Sequence, residues 1–263
     1  MSVSIKDNGV EVQTDRGESF FSKIIVVATG FYSPILESLG IVNQTFRDDH
    51  MVASQATVKI KDLKEIQVFL GEQIVPGSFA WLVPTSEETA LVGMFTKFRL
   101  QGHMTHLIKE LSNDGIIDSV IKSQSQWGIP GRPLDQTFSD RLLVVGDAAG
   151  LVKPTTGGGI YYSFLSGEIA AEVIRNAIQS NSFSKKSLSA YQRNWKSVLY
   201  DEIQIGLNMR KVIESFSDEQ IEVLMSHLIK SKFLNKLTDS SDMSFDWHGK
   251  VIAHFLSNPP LWK

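Results

Sequence analysis

The sequence contains no cysteine. That excludes disulfides, cysteine metal ligands and any thiol-based electron relay within the chain. Charge excess is also lacking: a net charge of −3 leaves no footprint for gripping nucleic acid. No uninterrupted apolar run approaches the roughly 20 residues that a membrane-spanning helix needs. Lys6, Asp7 and Glu11 break up the N-terminal stretch early, so no secretory leader is expected there. The six histidines, His50, His103, His106, His227, His248 and His254, are scattered. Only His103 and His106 share a probable helix face, and a pair without a third ligand does not make a metal site, so none is expected. Internal repeats and low-complexity segments are absent as well. What remains is an ordinary globular composition, 42% hydrophobic and 21% charged. The chain is long enough for one large or two modest domains.

The most informative stretch is LVVGDAAGLVKPTTGGG at residues 143–159. The apolar run from Leu142 to Val145 reads as a buried parallel strand. It ends at Gly146-Asp147, and three glycines (Gly157, Gly158, Gly159) open a long apolar-periodic segment. Glycines let backbone pass close to a ligand, and the first amides of a helix point at negative charge. The carboxylate of Asp147 is an acceptor, so it suits a sugar or ribityl hydroxyl better than a phosphate. Lys153, between the two glycine turns, reads equally as a residue beside the ligand or as a surface lysine fixing the loop.

Around this stretch the pattern alternates between strand and helix signals. Val3 to Ile5, Val10 to Thr14 and Phe20 to Val27 read as strands, with turns at Asn8-Gly9 and Arg16-Gly17. Residues 31–47 hold a short helix with Pro34 in its first turn and Ile35, Leu36 and Leu39 on its apolar side. Strands are expected at Val52–Ile60, Ile66–Leu70, Phe79–Val83, Ala90–Phe95 and Gln124–Ile129, and a helix at 103–112. A helix over 157–179 places Ile160, Phe164, Ile169, Val173 and Ile174 near the core spacing. Residues 187–257 read as helical, broken near Ser215–Asp218 and again at Thr238–Ser241. Ser217 with Gln220 is a capping-box pattern. Lys230, Lys232 and Lys236 read as a solvated face.

GDAAG with KPTTGGGIYY in register resembles the second FAD-binding motif of the p-hydroxybenzoate-hydroxylase-like flavoproteins, and within them the geranylgeranyl reductase family. Val26-Val27-Ala28-Thr29-Gly30 resembles the ATG motif beside the FAD. Phe79-Ala80-Trp81-Leu82-Val83-Pro84 resembles the YxWxFP motif of the substrate cavity, with Phe79 for the tyrosine and Val83 for the phenylalanine. Arg132-Pro133-Leu134 and the tail from Tyr191 to Trp195 and on to Pro259-Pro260 also fit the family pattern.

The resemblance implies an α/β (α+β) fold. Residues 1–47 and 131–180 would form an incomplete Rossmann-type FAD-binding domain. Residues 48–130 would be an inserted substrate-binding β-sheet domain, and 181–263 a C-terminal helical region. FAD is the implied cofactor, held by Gly30, Gly146, Asp147, Ala148, Gly150, Thr156, Gly157, Gly158 and Gly159. The implied substrate is a polyprenyl or geranylgeranyl lipid chain, lined by Phe79, Trp81 and Pro84, whose C=C bonds are reduced. The electron donor is left open between NADPH, ferredoxin or another, and no residue is named as proton donor. No GxGxxG occurs in the sequence, although a complete Rossmann-type unit carries one for the ADP half of the cofactor. The expectation is a truncated form of a longer protein, with a split enzyme completed by an N-terminal ADP-binding unit as the other reading. Two other functions stay open: a flavin monooxygenase of the same fold, and a flavin-free lipid-binding or interaction remnant. The expected location is cytoplasmic, with peripheral membrane contact open because the implied substrates are lipids.

Overall fold

The computed structural model describes residues 1–230 except 32, 44, 45, 47, 98 and 99, together with 247 and 249. The fold is mixed α/β, and the chain divides into two units. Among the described residues, one comprises residues 1–50 and 130–207, the other residues 51–129 and 208–230. The expected C-terminal region is thus shared: 181–207 belong to the first unit and 208–230 to the second. The expected break at Thr238–Ser241, the end at Pro259-Pro260, and Lys232 and Lys236 lie outside the described residues.

In the first unit, β1 (Ser2–Lys6), β2 (Gly9–Gln13) and β3 (Ser19–Ser22) form an antiparallel meander. A second sheet has the order β10 (Phe138–Ser139), β11 (Leu142–Val144), β4 (Ile25–Val27), and β11 runs parallel to β4. The segment expected as one strand from Phe20 to Val27 is therefore two strands in two sheets. The corner is held locally. The Ser22 hydroxyl donates to the Ile24 carbonyl at 2.9 Å, and the Arg141 guanidinium donates to the Lys23 carbonyl at 2.8 Å. Phe20 and Phe21, which made the run look continuous, are exposed. Leu142, Leu143 and Val144 are fully buried, as a parallel strand covered on both faces requires. Helix α1 (Pro34–Ser38) starts on Pro34 and buries Ile35 and Leu36, as its sequence predicts.

The long helices show where apolar periodicity succeeds and where it misleads. With α2 (Leu100–Asn113) belonging to the second unit, the first unit holds α3 (Ile160–Gln179) and residues 185–207 of α4 (Lys185–Glu214). In α4, Leu188, Tyr191, Trp195, Leu199 and Ile203 recur at three- and four-residue steps and are all buried. Their polar atoms are matched. The Tyr191 hydroxyl donates to the Val144 carbonyl at 2.8 Å, and the Trp195 indole N–H donates to Thr137 Oγ1 at 2.9 Å. The Thr137 amide in turn donates to Gln192 Oε1 at 2.9 Å. Burial pushes the Tyr191 phenol well above its ordinary range. Tyr191→Phe removes one hydrogen bond without emptying the space, so urea unfolding should show a loss of about 1 kcal/mol.

In α3 the expected inward face holds only in part: Val173 is buried and Ile169 and Ile174 are half-buried, but Ile160 and Phe164 are not. The buried positions are Tyr162, Ser166, Ala170, Val173 and Ala177, whereas Ile160 and Phe164 are 79% and 76% exposed. The helix turns a largely small-residue face inward because it packs closely on a glycine turn, which large side chains would hold off.

In the second unit, five strands have the order β6 (Gln67–Phe69), β7 (Phe79–Pro84), β8 (Thr89–Thr96), β5 (His50–Ile60), β9 (Ile117–Pro130). The pairs β6–β7, β7–β8 and β5–β8 are antiparallel. Strand β9 begins earlier than Gln124, at Ile117. Alternation gives the sheet two distinct faces. Ala80, Leu82, Ala90, Val92 and Met94 join Met104, Leu107 and Leu111 of α2 in one apolar cluster. Phe79, Trp81 and Phe95 occupy the opposite face. Helix α5 (Asp218–Lys230) opens with the expected capping box: Gln220 Oε1 accepts from the Ser217 amide at 2.9 Å, and Ser217 Oγ accepts from the Gln220 amide at 3.4 Å. Among the described residues no helix is long and apolar enough to cross a membrane.

Candidate functional site

Strand β11 delivers the chain to Gly146, whose φ of +59° disfavours any residue with a side chain. Space is as restrictive as conformation. A Cβ on Gly146 would lie 2.6 Å from Ser163 Oγ of α3. The Gly146 amide donates to Ser166 Oγ at 3.1 Å, and that hydroxyl donates to the Ser163 carbonyl at 3.1 Å. Glycine on the turn and serines on the helix therefore bring the two backbones together. Residues Gly146–Ala149 form one 3₁₀ turn ending at Gly150, φ +71°. The turn is backed by the Arg132–Leu134 segment: the Leu134 amide donates to the Ala149 carbonyl at 2.9 Å, and Gly150 passes too close to the Arg132 carbonyl for any side chain.

The next residue, Asp147, faces a cavity of about 500 Å³ whose walls include Ala28, Gly30, Gly146, Gly159, Ser163 and Phe164. Burial raises the Asp147 carboxyl above its ordinary value, while hydrogen bonds from its own amide and from the Ser163 hydroxyl pull the other way. A side chain on Gly159 would collide with the Asp147 carboxylate. Gly159 is also the N-cap of α3 and makes no side-chain cap hydrogen bond. The positive end of a 20-residue helix thus opens beside the carboxylate. Gly30 has φ +75° on the far wall, with open space where a Cβ would be. Ile160 and Phe164 form an apolar rim.

The structure brings together four of the nine cofactor candidates: Gly30, Gly146, Asp147 and Gly159. The others do not line this cavity. Ala148 is buried, packed beside Leu36 and Phe46. Gly150 closes on Arg132, as described. Thr156, Gly157 and Gly158 belong to a loop tied by Lys153, whose amide donates to the Gly158 carbonyl at 2.9 Å and whose carbonyl accepts from the Gly157 amide at 2.8 Å. Lys153 is only 6% exposed, which overturns the surface reading. Gly158 leaves room for its stem: a Cβ there would lie 2.9 Å from Lys153 Cε. Ser163 and Ser166 were missed because serines in a helix carry no apolar signal. Their spacing of three was the available clue.

The substrate candidates sit on β7 in the second unit. Phe79 meets Phe95 edge-on with centroids 4.9 Å apart, and Trp81 lies 6.0 Å from Phe79 and 6.4 Å from Phe95. Trp81 lies across Gly93, where any side chain would collide with the indole. A glycine inside the β8 pattern was the sign of that close approach. Arg210 stacks over Phe95 at 5.4 Å and pairs with Glu214 at 3.2 Å. Pro84 pairs with Ala90 at the hairpin end, away from the rings.

The family model described as FAD binding domain matches residues 5–164. The digeranylgeranylglycerophospholipid reductase of Methanocaldococcus jannaschii is 32% identical over 220 residues, 80% of this chain and 56% of its own length. The chain belongs to the geranylgeranyl reductase family. A second reductase of that name, from Methanococcus aeolicus, is 31% identical over 77% of this chain and 54% of its own length. The chain therefore spans a little over half of these geranylgeranyl reductases. A solved structure of a geranylgeranyl bacteriochlorophyll reductase-like protein from Thermoplasma acidophilum has a TM-score of 0.75 at 22% identity, covering 97% of this chain and 64% of that one. The halogenase PltM shares the fold at a TM-score of 0.61 and 17% identity, covering 90% of this chain and 54% of the halogenase. FAD is the cofactor of this geranylgeranyl reductase family member, and the residues present fit it. Gly30 leaves open space on the cavity wall where a side chain would stand, and Asp147 supplies an acceptor suited to a ribityl hydroxyl.

Proposed function

We propose that this chain is the larger part of an FAD-dependent reductase that saturates C=C bonds in a geranylgeranyl or polyprenyl lipid. The observation that carries the reading is the convergence of Gly30, Gly146, Asp147 and Gly159 on one cavity at the N-terminus of α3. Asp147 holds the ribityl side of the cofactor through its carboxylate. Gly30 leaves room beside it, Gly146 and Gly159 let the turn and the helix close around the carboxylate, and the α3 N-terminus favours negative charge nearby. FAD, when bound and reduced, would supply a hydride to one carbon of the double bond while a proton reaches the other, with NADPH or a ferredoxin as the proposed source of electrons. The Phe79–Trp81–Phe95 face offers the substrate an aromatic apolar wall. An ADP-binding unit, fused or in trans, completes the cofactor site. The proposed location is cytoplasmic, in contact with a membrane surface.

The test is to supply such a unit and incubate the reduced protein with a geranylgeranyl lipid. A saturated prenyl product supports the reading. Substrate-stimulated oxygen consumption with a hydroxylated product would replace it with the monooxygenase reading. Trp81→Ala in the same assay should lower turnover or shift chain-length preference by about tenfold, a difference of ~1.4 kcal/mol, with flavin content unchanged. Loss of the folded state in circular dichroism would instead make Trp81 a packing residue.

A further inference from the structure

Strand register brings a polar residue onto the aromatic face of the second unit. Trp81 of β7 is the register partner of Gly93 on β8, and Gly93 is the partner of Gln55 on β5. Partners in register point to the same face, and neighbouring strands lie about 4.8 Å apart. Gln55 therefore stands on the face of Phe79, Trp81 and Phe95, one strand beyond the glycine that the indole crosses. The polar edge of the ring reaches into that gap: Trp81 Nε1 would lie 2.8 Å from a Cβ on Gly93.

Trp81 and Gln55 are both half-buried. Among the described residues neither the indole N–H nor the Gln55 carboxamide has a hydrogen-bond partner. Polar groups drawn out of water without partners cost free energy, which a ligand that pairs with them recovers. The row beside them is Phe79, Phe95 and Ala53, which offers no polar side chain. An indole N–H only donates, and a carboxamide brings two more donors, so the pair suits an acceptor oxygen. The cation on this face, Arg210, stacks over Phe95 at 5.4 Å and is engaged with Glu214 at 3.2 Å. An uncharged alcohol or ether oxygen therefore fits better than a phosphate, whose charge would be desolvated on an apolar surface.

We propose that Gln55 and the Trp81 indole N–H together hold the first oxygen of the prenyl lipid, the atom at which its hydrocarbon chain ends. Gln55 is then a specificity-determining residue, because gripping that oxygen fixes the position of the chain along the sheet. The inference rests on the proposed function for the identity of the ligand.

Equilibrium binding of geranylgeraniol to the 263-residue chain, beside the same hydrocarbon with hydrogen in place of the hydroxyl, tests this. The parent chain should prefer the alcohol by about tenfold. Gln55→Leu and Trp81→Phe each remove one polar group and keep apolar bulk, so each should cut that preference by about threefold. The ratio of the two affinities is the readout, because a packing defect weakens both ligands together. Circular dichroism identifies any variant that fails to fold, and the other then carries the comparison. Equal binding of the two ligands by the parent, or an undiminished preference in the folded variants, overturns the role of Gln55. Saturated product once the ADP-binding unit is supplied would then leave the reductase reading intact. Binding of neither ligand, together with no saturated product, sinks the reading and the Gln55 site together.

Discussion

The isolated 263-residue chain should bind FAD at least about a thousandfold more weakly than the same chain supplied with an ADP-binding unit. The cavity at Gly30, Gly146, Asp147 and Gly159 offers one carboxylate, glycine backbone and a helix N-terminus. These suit the ribityl and ring portion of the cofactor. The adenosine and most of the pyrophosphate need the amides of a GxGxxG turn and an acidic residue for the ribose, and the sequence contains no such turn. Each charge-assisted hydrogen bond lost costs roughly 1.5–3 kcal/mol, so losing three lowers affinity by about three orders of magnitude or more. Flavin fluorescence quenching in a titration, with and without the added unit, measures the difference. Tight stoichiometric FAD on the isolated chain would show that the ADP half is held by residues outside this cavity.

The parts of the site legible in the sequence are those fixed by local backbone chemistry. Leu142–Val145 announces a buried strand because nothing polar interrupts it, and Gly146 marks its end because the turn needs positive φ. The five strands of the second unit were legible from β-branched and apolar runs bounded by Pro76-Gly77 and Ser86–Glu88. Three features were not legible, each for a distinct reason. The buried face of α3 carries Ser166, Ala170 and Ala177 beside Tyr162 and Val173, so large apolar residues alone marked Val173 correctly but put Ile160 and Phe164 inside. Lys153 is buried because Gly158, five residues on, leaves it space, a relation that composition does not disclose. A cavity between residues 70–78 and 213–225 of the second unit depends on two segments far apart in sequence, and periodicity within either one cannot reveal the space between them.

Replacing Asp147 should separate cofactor binding from stability. In the protein completed by an ADP-binding unit, Asp147→Ala should weaken FAD binding by roughly 10- to 150-fold, the equivalent of one charge-assisted hydrogen bond of about 1.5–3 kcal/mol. The fold should persist, because Gly146 is held by Ser166 and the turn by Leu134 independently of the carboxylate. Asp147→Asn should stabilise the cofactor-free chain at pH 7. Burial raises the carboxyl from its ordinary value of 3.8, so at pH values between the unfolded and folded pKa the native state binds more protons than the unfolded state. Stability is then fully present below the unfolded value and declines as pH rises through the folded one. Asparagine has no charge to bury and escapes that decline. Thermal melts of the two proteins should therefore converge in acid and diverge with Asp147→Asn higher at neutral pH, while the same variant retains less FAD than the parent. A melting difference that does not change with pH would mean that the carboxylate carries no burial cost, and unchanged flavin affinity in Asp147→Ala would mean that it does not touch the cofactor.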